Sequence, residues 1–143
     1  MSEENKAVVR RLMDEVWSRG RLDAVDQLLA PDYAGHNLPE GLPSDAEGFK
    51  QVMSLYRTAF PDMPITLEDL VAEGDRVVVR WSARGTHGGD LAGIPPTGRP
   101  VSVTGIDIYR LAGGKIVENW NQSDQMGMMQ QIGAVPSPAG PPA

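Results

Sequence analysis

The sequence predicts an α+β domain, with N-terminal helices laid over a curved antiparallel sheet to leave a cone-shaped pocket. Three observations predict it. Apolar residues recur every three to four positions as far as Phe60, then at a period of about two beyond Pro61. The later segments follow one another through Gly-containing turns, and sequential strands of that kind pair antiparallel. Helices come first and strands afterwards, which is the α+β order rather than the alternating α/β one.

The elements follow in order. Residues 5–17 read as an amphipathic helix, with Val8, Leu12 and Val16 in one row and Val9, Met13 and Trp17 beside it; Arg19 falls in its last turn and Gly20 ends it. Leu22, Val25, Leu28 and Leu29 make the stripe of a short second helix, stopped by Pro31. Three prolines and two glycines between Pro31 and Pro43 predict a loop, which carries Tyr33, His36 and Asn37. Ser44 followed by Glu47 is a capping-box spacing and opens a helix to about Phe60, with Phe49, Val52, Met53 and Tyr56 on one face.

Beyond Pro61 the first strand alternates Ile65, Leu67, Asp69 and Val71 against Thr66, Glu68 and Leu70, and turns at Glu73-Gly74-Asp75. Arg76–Thr86 is the clearest strand, with Val77, Val79, Trp81 and Ala83 on one face. His87–Pro100 holds four glycines and three prolines and reads as a long loop. Val101–Leu111 and Lys115–Ser123 form a hairpin about Ala112-Gly113-Gly114. Asp124 then caps a last helix, Gln125–Ile132, ended by Gly133. Gly85 and Gly105 lie inside strand patterns, where glycine often marks a bulge or bend. One domain, 1–133, is expected, followed by a disordered Pro/Gly/Ala-rich tail, 134–143.

Composition narrows the function. A net charge of −6 with scattered charges argues against a nucleic-acid partner, because phosphate binding needs a basic patch. No apolar run reaches the roughly 18 residues of a membrane helix, and the polar first residues do not resemble a signal peptide. With no cysteine in the chain there is neither a disulfide framework nor thiolate chemistry, which fits a cytoplasmic protein. Two histidines without a ligand cluster make no metal site, and no nucleotide, zinc or Gly-x-Ser-x-Gly motif occurs.

Four stretches, NKAVVRRLMDEVWSRGRLDAVDQLLAPDYAGHN (5–37), GTHGGDLAGIPPTGRPV (85–101), GIDIYRLAGGKIVENW (105–120) and DQMGMMQQIG (124–133), resemble the SnoaL-like polyketide (ester) cyclase family of the nuclear-transport-factor-2-like superfamily. The resemblance covers about residues 5–133. It implies a cone with a deep pocket, a homodimer or higher oligomer, and ring closure by intramolecular aldol addition without metal or organic cofactor. The family's last-strand His-x-Asp pair and its neighbouring histidine would fall on Asn119, Asn121 and Asp107, so this chain carries Asn-Trp-Asn where the family carries His-x-Asp.

Strand alternation adds an independent view. Asp107 shares a face with Val101, Val103, Tyr109 and Leu111; set among them, its carboxyl would be desolvated and suited to proton transfer. Asn119 and Asn121 share a face of the last strand and could donate to an enolate oxygen, although Val117 and Ile116 leave open which face is inward. In the purely structural alternative, Asp107 pairs with Arg80, Arg84 or Arg110. Catalytic candidates are therefore Asp107, Asn121 and, as an auxiliary base, His36. Candidate substrate-binding residues are Asn37, Tyr33, Trp81, His87, Asn119, Trp120 and Tyr56. The expected ligand is a small apolar carbonyl compound. A non-catalytic binding protein and an epoxide or ester hydrolase on the same fold remain alternatives.

Overall fold

The computed structural model describes residues 2–36, 41–91 and 93–135 (of Ser2 the backbone only). Asn37 and most of the expected tail, 136–143, lie outside the described residues.

The chain opens with α1, Ser2–Arg11, which runs directly into a π-helical segment, Leu12–Ser18. Val9, Leu12, Met13 and Val16 face inward, as their spacing requires. The wider π turn ends where Gly20 donates to the carbonyl of Val16 at 2.8 Å. Helix α2, Leu22–Leu28, buries Ala24, Val25 and Leu28. The chain then enters β1, Leu29–His36, where a loop was expected. The strand pairs in parallel with residues more than eighty positions away, so no local signal marks it. Its Pro31 is tolerated because β1 is an edge strand.

Helix α3, Ala46–Ala59, is capped by Asp45, whose carboxylate accepts from the Gly48 amide at 3.2 Å. The cap is thus Asp45 rather than the expected Ser44; a carboxylate also complements the positive end of the helix. Four further strands follow: β2, Ile65–Glu73; β3, Arg76–Thr86; β4, Pro100–Ala112; and β5, Lys115–Ser123. Helix α4, Gln125–Gln131, closes the described chain, with the Asp124 carboxylate accepting from the Gly127 amide at 2.9 Å.

The strands form one sheet in the order β1-β5-β4-β3-β2, antiparallel throughout except for β1 beside β5. Its concave face carries Val77 and Val79 of β3 and Tyr109 and Leu111 of β4, which pack on Val9, Leu12, Val16 and Phe49 of the helical layer. A second cluster, built on Phe60, Leu91, Val103, Met128 and Ile132, closes the other end.

Two register shifts, neither at a glycine, decide which side chains enter the concave face. Between Leu67 and Asp69 the β2–β3 register slips, so Leu70 and Ala72 turn inward, while Asp69 points out to Arg80 at 2.6 Å and Val71 is exposed. A second slip pairs Leu111 with Ile116 but Arg110 with Glu118; Ile116 and Asn119 therefore share the concave side although three residues apart. The β3–β4 register runs unshifted past Gly85 and Gly105. At Gly105 the missing side chain is filled by Trp81: a Cβ there would lie 2.3 Å from the indole Cζ2.

Candidate active site

The concave sheet face and helices α3 and α4 enclose a cavity of about 530 Å³, within the range of small-molecule sites. Most of its wall is apolar, including Phe49, Val52, Phe60, Val103 and Met128. Its polar groups converge on Asp107, which is 6% exposed.

The strands deliver that convergence by register. Asp107 stands opposite Val79 on one side and Asn121 on the other, with Trp81 and Asn119 diagonal to it. Asp107 Oδ1 accepts from Trp81 Nε1 at 2.8 Å and Asn121 Nδ2 at 2.7 Å. Oδ2 accepts from the Tyr109 hydroxyl and from Asn119 Nδ2, each at 3.2 Å. Four donors and no basic side chain surround this carboxyl. The arginines considered for it are engaged elsewhere or outside its contacts: Arg80 holds Asp69 and Arg110 holds Glu118. Burial lifts the Asp107 pKa above the ordinary carboxylate value, outweighing the four hydrogen bonds that pull it down. Burial, and secondarily the nearby Asp107, also raises the pKa of Tyr33 and Tyr109, so both remain phenols.

The two asparagines differ. Asn119 is 4% exposed, and its Nδ2 also approaches the carbonyls of Ile108 at 3.2 Å and Trp120 at 3.3 Å, so its amide is spent on holding Asp107 and the strand. Among the described residues Asn121 Nδ2 donates to Asp107 alone, leaving a second N–H for the cavity that it lines. Tyr56 also lines the wall and donates to Gln125 Oε1 at 3.0 Å.

The remaining sequence candidates lie elsewhere. His36 ends β1 opposite Trp120, and both project from the convex face: their rings stack at 5.1 Å, and His36 Nε2 lies 2.9 Å from Glu118 Oε2. Neither joins the cavity, because parallel pairing with β5 puts them on the face opposite Asn119 and Asn121. Tyr33 is buried behind Phe49, in an edge contact at 6.0 Å, and its hydroxyl has no partner among the described residues. His87 is fully buried beneath the β3–β4 connection, its Nδ1 3.0 Å from Thr97 Oγ1, and packs on the Phe60 ring rather than lining the wall.

The cavity wall also includes polar residues that are not among the sequence candidates, Tyr109 and Arg57 being the two nearest to its chemistry. Tyr109 was legible, two residues beyond Asp107 on the same strand face. Arg57 was legible as a charge in the apolar stripe of α3, between Met53 and Phe60. Among the described residues, no group of three or more His, Asp or Glu side chains could hold a metal ion, and no helix is long and apolar enough to cross a membrane.

Known proteins share both sequence and architecture with this chain. It is 30% identical over 123 residues to nogalonic acid methyl ester cyclase of Streptomyces nogalater, covering 85% of this chain and 92% of that one. It is likewise 30% identical over 138 residues to aklanonic acid methyl ester cyclase DnrD of Streptomyces peucetius, covering 93% and 94%. Among solved structures, IdmH of Streptomyces antibioticus, a candidate polyketide cyclase, superposes with a TM-score of 0.79 at 36% identity, covering 90% of this chain and 98% of its own. AclR of Streptomyces galilaeus, a candidate hydroxylase, reaches a TM-score of 0.85 at 27% identity, covering 96% and 85%. The model of the SnoaL-like polyketide cyclases matches residues 7–132, and with a chain-long match of this kind the protein belongs to that family.

Proposed function

We propose that this protein closes a ring on a polyketide-derived β-keto ester by intramolecular aldol addition, with Asp107 moving the proton. The observation that carries the reading is a single buried carboxyl at the focus of the cavity, its pKa raised and its orientation held by four donors. Asp107 takes the acidic C–H proton between the two carbonyls. The resulting enolate carbon attacks the facing carbonyl carbon of the same molecule, and the new alkoxide recovers the proton from Asp107. Substrate and product are isomers, so no electrons or groups enter from outside. The unspent N–H of Asn121 donates to the enolate oxygen as charge develops there. Asn119, Trp81 and Tyr109 are positioning residues that hold the carboxylate.

The cyclase-named relatives favour this reading over hydrolysis or simple ligand storage. A cytoplasmic location accords with the cysteine-free chain. A homodimer through the convex sheet face accords with an uninterrupted cross-strand row of Val71, Val78, Ile108, Trp120 and His36 on that side.

The test supplies an aromatic β-keto ester bearing a facing ketone and follows formation of the cyclic isomer at unchanged mass. Asp107→Asn is expected to slow ring closure about 10²- to 10⁴-fold, the usual contribution of a positioned general base, while its circular dichroism stays that of the wild type. Equal rates for wild type and Asp107→Asn would refute the proposal.

A further inference from the structure

The geometry points to Arg57 as an anion receptor in the cavity wall, one that takes a ligand presenting two oxygens that share one negative charge: a carboxylate or an ionised 1,3-dicarbonyl. The inference rests on the cavity being the substrate site. It does not rest on Asp107 being the base.

Arg57 is half-buried and is the one cation lining the cavity among the described residues. Its Nη1 donates to the carbonyls of Trp17 at 3.2 Å and Ser18 at 3.0 Å, where the π-helical segment ends. A guanidinium carries five N–H groups, and those two bonds occupy both hydrogens of Nη1. The Nε–H and the two Nη2 hydrogens have no partner among the described residues. Nor does any described carboxylate lie within ion-pair distance, whereas Arg11, Arg80 and Arg110 each sit on one. The unspent Nε–Nη2 edge presents parallel N–H vectors, the fork that matches two oxygens of one anion.

The seat of this side chain is built into the backbone. Gly20, with φ +71°, lies against the guanidinium, and a Cβ there would come within 2.3 Å of Nε. Two accepting carbonyls and the close approach of a side-chain-free residue restrict where the guanidinium can sit. The surrounding wall, Trp17, Phe49 and Ile65, is apolar and strengthens any charge-assisted bond formed there. With Asp107 as the one acidic lining residue among the described residues, the cavity is electrostatically two-ended. A ligand would place its C–H acid at the carboxyl and its paired oxygens at Arg57.

An arm that merely ties α3 to the end of the π-helical segment would need Nη1 alone. Lysine at this position keeps a cation and donors for the two carbonyls but lacks the fork, so Arg57→Lys separates the two roles. Calorimetric titration at pH 7.5 would compare 2-naphthoate with methyl 2-naphthoate, and 2-hydroxy-1,4-naphthoquinone, an anion at that pH, with its neutral 2-methoxy ether. Wild type is expected to bind at least one anion about tenfold more tightly than its neutral partner, equivalent to about 1.4 kcal/mol. Arg57→Lys should cut that preference to about threefold or less, and Arg57→Met should abolish it, with affinity for the neutral probes unchanged. Preference for naphthoate alone assigns the ligand as a carboxylic acid; preference for the quinone alone assigns an ionised dicarbonyl. Either supports the receptor.

In the wild type, the Nε ¹⁵N–¹H resonance of Arg57 should shift with the preferred anion and stay still with its neutral partner, a readout independent of how the variants fold. Equal affinities within both pairs, no binding of any probe, or an Arg57→Met variant that weakens anion and neutral ligand alike would overturn the inference. Asp107→Asn should retain the anion preference. A failure of ring closure and a failure of anion selection are thereby told apart.

Discussion

Asp107 Oδ1 accepts hydrogen bonds from two strands at once, from Asn121 Nδ2 across the β4–β5 ladder at 2.7 Å and from Trp81 Nε1 on β3 at 2.8 Å. The carboxyl is therefore held by the sheet itself rather than by a mobile loop. Such support suits a group that must keep its aim while its protonation state changes.

The first prediction concerns pH. Burial raises the pKa of Asp107 in the folded protein, so between its unfolded value of about 4 and its folded value the native state binds more protons than the unfolded one. Stability contributed by this site is present below that window and is lost as pH rises through it. Thermal melting of the wild type should therefore fall with pH across the window relative to Asp107→Asn, which has nothing there to titrate. Parallel melting curves for the two proteins would contradict it. Activity should run the other way, rising as Asp107 ionises.

The indole of Trp81 is a second lever. Its N–H lowers the carboxyl pKa, so Trp81→Phe, which keeps the ring but removes the donor, should move the acid limb of the kcat/KM profile to higher pH. Gly105→Ala acts on the same contact from the other side, because its Cβ would overlap the indole at 2.3 Å. A cost of about 1–3 kcal/mol is expected in denaturant unfolding, together with a matching shift of the profile. A pH profile unmoved in both variants would show that the indole does not govern Asp107.

The β3–β4 connection hangs on His87. The Thr97 amide donates to its Nδ1 at 3.3 Å, which makes Nδ1 the acceptor and places the ring proton on Nε2. That Nε2 is buried without a partner among the described residues. His87→Leu should leave the Thr97 amide unpaired and cost about 1–3 kcal/mol, with faster hydrogen exchange at Thr97. His87→Asn, whose carbonyl can take the place of Nδ1, should restore protection at that amide. Equal exchange in both variants would count against this role for Nδ1.

On the convex face, Ile106 is 50% exposed and Ile108 lies in the row between Val78 and Trp120. Ile108→Arg is expected to shift the protein to a monomer in light scattering while leaving ligand affinity in the cavity intact. An unchanged mass for the variant, or a monomeric wild type, would remove this face as the subunit interface.

Alternating residues between turn signals were enough to bound β3 and β5 and to group Asp107 with Tyr109 and Leu111 on one face, which the structure buries, and the Asp124 cap was legible from its own few residues. These features depend on neighbours in the chain, which is why they can be read there. Tertiary structure alone decided that Leu29–His36 is a strand, that slips beside Glu68 and Val117 reset the parity of β2 and β5, and that His36 faces away from the cavity while Arg57 faces into it. Each of those outcomes depends on which distant segment supplies the hydrogen-bonding partner, and a one-residue change in that pairing sends a side chain to the opposite face of the sheet.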